Sequence, residues 1–278
     1  IVQIRMIWRY AMNNGWVDYV PQINQAPPNL ASRTRRKLTP EEYRLIIDAS
    51  RERYKRLKAN GSMGIRFDLA YLFHLWVLIM ANSGIRPPAG QVERNLMRWS
   101  DVIDNGKEGE ERQIYIKRRG EKAHLYYEAV VLRNAHEYID ALKNFLIKRD
   151  AYTPDGYMFC HTVDWDTKKK GDAIGSFKTA WRNTLKTVGL DSPVGTPQSK
   201  RLSPYSCRGF FMTQRLQGSE NLRIEDLAKA TGSSPEVIAK IYYDFNTRKI
   251  HDVLTSGSNE RWSALKPVYE DGIYMGRA

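Results

Sequence analysis

The residues able to do chemistry gather between positions 202 and 245, LSPYSCRGFFMTQRLQGSENLRIEDLAKATGSSPEVIAKIYYDF. Arg208 stands early on a helical stretch, followed by a short helix, a Gly-Ser-Ser turn and a last helix bearing Tyr242 and Tyr243. Far upstream a second arginine, Arg86, sits in a Gly-Ile-Arg-Pro turn. Two guanidinium groups are what a site needs to clamp one phosphate, because each presents paired donors to two phosphate oxygens. A tyrosine delivered to the same place supplies a nucleophile for that phosphate. On a continuous helix adjacent tyrosines point about 100° apart, so only one of the two faces the site.

Such groups need rigid elements behind them. The apolar run 69–81 predicts a buried helix over 66–83, ended by Gly84, so that Arg86 follows at once and is anchored by the core. Before it, Leu38-Thr39-Pro40-Glu41-Glu42 reads as a helix start, with Thr39 as N-cap, Pro40 as first helical residue and Glu42 as capping-box partner. Positions 1–15 predict a helix with Ile4, Ile7, Tyr10 and Ala11 at helical spacing. Residues 113–118 alternate like a strand, 119–122 turn, and 123–127 return. Helices follow over 135–148 and 175–188, the second turning Phe177, Trp181 and Leu185 to the core; between them come a short strand at 156–160 and an exposed loop at 164–172. Short helices span 225–230 and 235–243, the latter capped by Ser234 and opened by Pro235. The tail holds one helix around 249–254 and is then extended and aromatic, with Trp262, Tyr269 and Tyr274. These elements predict a mainly helical α+β fold with a small antiparallel sheet near the middle.

With 42% hydrophobic residues, the chain of 278 can bury a sizeable core. Its 44 basic and 31 acidic residues leave a net charge of +13, which favours a polyanionic partner. Ten Lys or Arg against four Asp or Glu lie between Arg33 and Lys58, a face suited to tracking phosphates. Cys160 and Cys207 form neither a disulfide framework nor a metal-ligand spacing, and Cys207 reads as a small packed side chain. The five histidines show no paired ligand spacing either, so neither a metal nor another cofactor is expected. No signal peptide and no apolar run of about 20 residues is present, so no membrane partner is expected. The chain opens on Ile1 rather than Met, and a preceding N-terminal part is expected.

The order of these motifs resembles the catalytic domain of the tyrosine recombinases, the phage-integrase superfamily. The family's T-G-[LIM]-R turn reads here Asn82-Ser83-Gly84-Ile85-Arg86, its H-x-x-R box Tyr205-Ser206-Cys207-Arg208, and its L-G-H-S-S turn Thr231-Gly232-Ser233-Ser234. Leu96-Met97-Arg98-Trp99-Ser100-Asp101-Val102 matches the L-x-W-x-D-I run. The resemblance covers about three quarters of the chain. It implies that Arg86 and Arg208 clamp the scissile phosphate, and that Tyr242, nine residues past Ser233, attacks it to form a 3′-phosphotyrosyl link. It further implies that a hairpin lysine protonates the leaving 5′-oxygen: Lys117, with Lys122 and Arg118 as alternative registers. Tyr205 and Ser233 stand where the family has histidines, and each keeps a hydroxyl for the phosphate. Ala89 stands where the family has an acidic residue, with Glu93 as its stand-in.

The resemblance implies the domain plan 1–20 as the last helix of a core-binding domain, 21–37 as a basic linker, 38–245 as the catalytic domain, and 246–278 as a tail packing on a neighbouring protomer. It implies a site-specific recombinase, an integrase of a phage or other mobile element. That enzyme works as a homo-tetramer on double-stranded DNA in the host cytoplasm at the nucleoid, with host DNA-bending proteins as accessories. Two alternatives stay open: a non-cutting DNA-binding relative, and a type IB topoisomerase-like or hairpin-forming resolvase.

Overall fold

The computed structural model describes residues 2–20, 36–62, 64–88, 96–106, 111–119, 126–218, 222–241, 267–270 and 273–277. The first helix, α1 (Val2–Asn13), leaves Ile4, Ile7 and Tyr10 exposed, and Tyr10 meets Trp16 edge to face at 5.7 Å. Most of the expected linker, 21–35, lies outside the described residues.

The predicted capping box forms at the head of α2 (Pro40–Ala59). Thr39 Oγ1 accepts from the Glu42 amide at 3.2 Å, and Glu42 Oε2 accepts from the Thr39 amide at 3.1 Å. Arg36 pairs with the same Glu42, and the Arg36 carbonyl accepts from Ser206 Oγ at 2.7 Å, tying the start of the domain to the segment that carries Arg208. Arg44, Lys55, Arg56 and Lys58 are exposed on α2, while Ile46, Ile47 and Ser50 are buried.

α3 (Ile65–Ala81) packs on α2 and is the hub of the domain. Every residue from Leu72 to Ala81 is buried, which accounts for its apolar run lacking a polar stripe. His74 sits inside this packing. Ser50 Oγ donates to the Ile47 carbonyl at 2.8 Å, so its lone pair receives the His74 Nδ1 proton, also at 2.8 Å. Burial, with the nearby Arg51 charge, pulls the His74 pKa down to about 4 from 6.5. The unfolded chain therefore takes up a proton between pH 6.5 and 4 that the folded chain refuses. Stability contributed by neutral His74 is complete above pH 6.5 and is lost as the pH falls toward 4, by up to ~3 kcal/mol. Urea unfolding at both pH values should show a steeper loss for the wild type than for His74→Gln; equal losses would refute the assignment.

A three-stranded antiparallel sheet, β1 (Val102–Asp104), β2 (Ile114–Arg119) and β3 (Tyr126–Val131), follows in the order β1-β2-β3. The return strand runs on past the predicted end to Val131. Ile116 pairs with Ala129 and Arg118 with Tyr127, so β3 takes in the β-branched Val130 and Val131; residues 123–125 lie outside the described set. Ile114, Ile116 and Arg118 face inward, and Tyr115, Lys117 and Arg119 face outward. The tryptophan run forms a short turn, Trp99–Asp101, with Trp99 buried against Tyr152 at 5.5 Å.

α4 (His136–Lys148) agrees with expectation, whereas α5 (Lys178–Thr187) starts later than predicted because Phe177 takes the N-cap position. Phe177, Trp181 and Leu185 are buried, with Phe177 5.5 Å and Trp181 6.5 Å from the Trp76 ring. The short strand expected at 156–160 is instead a pair of isolated bridges, Arg98 to Tyr157 and Cys160 to Ala173. α6 (Ser206–Gly218), α7 (Ile224–Thr231) and α8 (Pro235–Ile241) complete the domain. Strands β4 (Pro267–Glu270) and β5 (Ile273–Arg277) pair antiparallel in the tail, while the helix expected at 249–254 lies outside the described residues.

The core has two parts. The larger gathers α2 to α5 and the inner sheet face, down to Cys207. The smaller, under α7 and α8, comprises Phe211, Met212, Leu227, Ala228 and Ile238. Both cysteines are buried free thiols; burial pushes Cys160 up to about 11 and Cys207 higher still, so neither is a thiolate near neutral pH.

Candidate active site

Three turns meet at the C-terminal end of α3. The first is the Gly-Ile-Arg turn: Ser83 Oγ donates to the Ile79 carbonyl at 2.7 Å, and Ile85 is fully buried, which pins the backbone that projects Arg86. Gly84 has φ +63°, and a Cβ there would enter the Phe211 ring. Asn82 braces this turn from outside, donating to Tyr43 at 3.2 Å and accepting from the Leu132 amide at 3.0 Å.

The second contribution is Arg208, in the first turn of α6. Its side chain is 0% exposed, and Nη1 donates to the carbonyls of Gly84 and Thr231, both at 2.7 Å. Among the described residues no carboxylate pairs with it, and Nε and Nη2 meet no acceptor. A buried cation with unmet donors and no counter-ion is costly, and an anion relieves that cost. The third turn is Thr231-Gly232-Ser233, which ends α7. Gly232 is left-handed (φ 59°, ψ 42°), and the Ser233 amide donates back to Ala228 at 3.0 Å. The Gly232 carbonyl accepts from Arg86 Nη2 at 3.2 Å. Both arginines are thus bonded to one turn, from segments far apart in the chain.

An open cleft of about 1280 Å³ lies beside this junction. Its lining includes Arg86, Lys117, Ser233, Tyr115, Tyr126 and Glu128. Lys117 is exposed on the outer face of β2, directly across from Glu128. Arg118, its alternative register, points to the inner face and is buried. Tyr205 immediately precedes α6, where its carbonyl accepts from the Arg208 amide at 3.1 Å, and it does not line the cleft. Lys122, Ala89, Glu93, Tyr242 and Tyr243 lie outside the described residues. Among the described residues no cluster of metal-ligating side chains occurs, and no helix is long and apolar enough to cross a membrane.

Sequence reasoning missed the carbonyls of Gly84, Thr231 and Gly232 as arginine acceptors, and the packing of Tyr127 on Gly232. The only signal was the pair of glycines, each at a turn next to a candidate. A Cβ on Gly232 would enter the Tyr127 ring. Gly232→Ala is therefore expected to cost ~2–4 kcal/mol from the left-handed backbone and the overpacked ring. Thermal unfolding would measure this, and an unchanged melting temperature would contradict it.

No protein-family model and no curated protein matches the sequence. Solved structures do. The XerH site-specific recombinase bound to its difH substrate, a pre-cleavage complex, superposes with a TM-score of 0.56 at 16% identity, over 90% of this chain and 61% of that one. A post-cleavage complex of XerH with palindromic difH gives 0.52 at 17% identity, over 80% and 52%. A lambda integrase dimer bound to a COC′ core site gives 0.52 at 14% identity, over 88% and 72%. The chain thus spans about three fifths or less of the length of the XerH chains it matches. At these identities the likeness is one of fold: the chain has the α+β fold of the tyrosine-recombinase catalytic domain.

Proposed function

We propose that this chain is the catalytic part of a site-specific DNA recombinase that cuts and rejoins duplex DNA through a 3′-phosphotyrosyl intermediate. The observation that carries this reading is the convergence of Arg86 and Arg208 on the Thr231-Gly232-Ser233 turn, with Arg208 buried, without a counter-ion among the described residues, and beside a cleft that Lys117 lines. Phosphoryl transfer needs charge neutralisation, an in-line nucleophile and a proton for the leaving oxygen. Arg86 and Arg208 hold the non-bridging oxygens. Tyr242 oxygen bonds to phosphorus as the bond to the 5′-oxygen breaks, and Lys117 gives that oxygen its proton. Ser233 donates a hydroxyl hydrogen bond in place of an imidazole, and the Tyr242 proton leaves to water. The covalent link conserves the bond energy, so rejoining requires no nucleotide.

The wider reading follows the same fold. Helix α1, with its exposed apolar side chains, is the last helix of a preceding DNA-binding domain, and the basic face of α2 tracks phosphates. The protein acts as a tetramer on two sites of a phage or other mobile element, with the tail after residue 245 packing on a neighbouring protomer.

A second reading, a DNA-binding relative that does not cut, is favoured by the complete burial of Arg208 and by the two hydroxyl residues at histidine positions. Both readings meet one experiment. Labelled duplex carrying the element's own end sequence and nicked near the cleavage point is incubated with the full-length protein and run on a denaturing gel. Label migrating with protein supports the recombinase; tight binding without any adduct supports the relative that does not cut.

A further inference from the structure

We infer that Arg118 and Tyr127 are positioning residues for the phosphate site: Arg118 braces Tyr127 from the neighbouring strand, and the Tyr127 ring is the seat on which the Thr231-Gly232-Ser233 turn closes. This inference rests on the proposed reaction only for its consequence in catalysis; the seating itself is a property of the fold.

The two residues are direct cross-strand neighbours in β2 and β3, on the sheet face opposite Lys117. Arg118 is buried, 6% exposed, and cannot act as a solvent-side proton donor. Its Nη1 donates to the Leu96 carbonyl at 3.0 Å, and it stands directly across from Tyr127 in the β2–β3 register. Leu96 opens the Trp99 turn, so Arg118 joins three segments at one point. The Tyr127 ring lies so close to Gly232 that no side chain fits there. The Gly232 carbonyl in turn accepts from Arg86, and the Thr231 carbonyl from Arg208. The chain of support is therefore Arg118, its strand neighbour Tyr127, the Tyr127 ring, the Gly232 backbone, and finally both guanidinium groups. A shift of the ring displaces the acceptors that aim the two arginines, and small misplacements of catalytic groups are expensive in rate. Burial disfavours the charged form of Arg118, and the Tyr127 oxygen offsets part of that cost.

The test compares wild type, Tyr127→Leu, Arg118→Met and the double variant in the nicked-duplex assay, with DNA affinity measured alongside. Each single change is expected to slow adduct formation about tenfold or more, at unchanged DNA affinity, and the double variant should be no slower than the worse single one, as residues in one relay act as a unit. Multiplying effects, or undiminished rates in both single variants, would overturn the inference. A second arm needs no activity: amide hydrogen exchange at Gly232 and Ser233 should rise about tenfold or more in Tyr127→Leu while α4 stays protected. Unchanged exchange there would overturn the seating even if cleavage fell. If the wild type forms no adduct, the recombinase reading fails and the exchange arm alone decides the inference. Should Arg118→Met fail to fold, Tyr127→Leu still decides it.

Discussion

Arg208→Ala is expected to lower covalent adduct formation by ~10²–10³ or more, the effect of removing a donor aimed at developing phosphoryl charge. Two separate losses contribute. One is catalytic: the guanidinium is the charge that an incoming phosphate would meet deepest in the site. The other is structural, because the carbonyls of Gly84 and Thr231 each lose the Nη1 donor at 2.7 Å. An unsatisfied buried acceptor costs ~1–3 kcal/mol. Arg208→Lys separates the two. A lysine keeps the charge but presents a compact ammonium without the planar fork, so it cannot serve two carbonyls and a phosphate together. It should therefore remain strongly impaired while recovering part of the thermal stability. DNA affinity should fall only modestly in both variants, because a chain with 44 basic residues keeps many other cations for a phosphate backbone. Adduct yields equal to wild type in Arg208→Ala would remove Arg208 from the mechanism.

Tyr242→Phe should remove the adduct entirely, whereas Tyr243→Phe should leave it. A phenylalanine keeps the ring and deletes only the attacking oxygen, so DNA binding and melting temperature serve as controls that must not change. The choice of Tyr242 rests on its position nine residues past Ser233, and Ser233 lines the cleft with Arg86 and Lys117. An adduct that persists in Tyr242→Phe and vanishes in Tyr243→Phe would transfer the role to the neighbour. An adduct lost in both would mean that attack needs the pair together. Lys117 is then tested by a substrate whose leaving 5′-oxygen is replaced by sulfur, a better leaving group that needs no proton: Lys117→Ala should recover on it.

Much of this site could be read from the chain alone, for physical reasons that differ from residue to residue. Arg86 was legible because a long apolar helix followed by glycine fixes where the chain must turn. The capping box at Thr39 was legible because both partners lie within four residues, and local hydrogen bonds need no tertiary knowledge. The hairpin was legible as a hairpin but not in its register. Strand side chains alternate with a period of two, so a shift of one residue exchanges Lys117 for Arg118 between solvent and core. Sequence gave no way to choose, and the pairing of Arg118 with Tyr127 decides it. Nor were the acceptors of Arg208 visible, because backbone carbonyls belong to every residue and leave no mark in composition. The start of α5 was misjudged for a related reason: Gly175 and Ser176 suit a helix cap by type, but the buried Phe177 is held by the core one step before the helix begins.

The small cluster beneath α7 and α8 has a consequence for how activity is lost on warming. Five buried residues hold these helices, whereas the arginine-bearing turn of α3 belongs to the main core. Segments on small cores open locally at lower free energy than the whole domain. When α7 lifts, the carbonyls of Thr231 and Gly232 leave with it, and Arg86 and Arg208 lose their shared anchor while the remainder of the domain stays intact. Inactivation should therefore precede melting, and a duplex seated across the turn would hold α7 down and narrow the gap between the two temperatures.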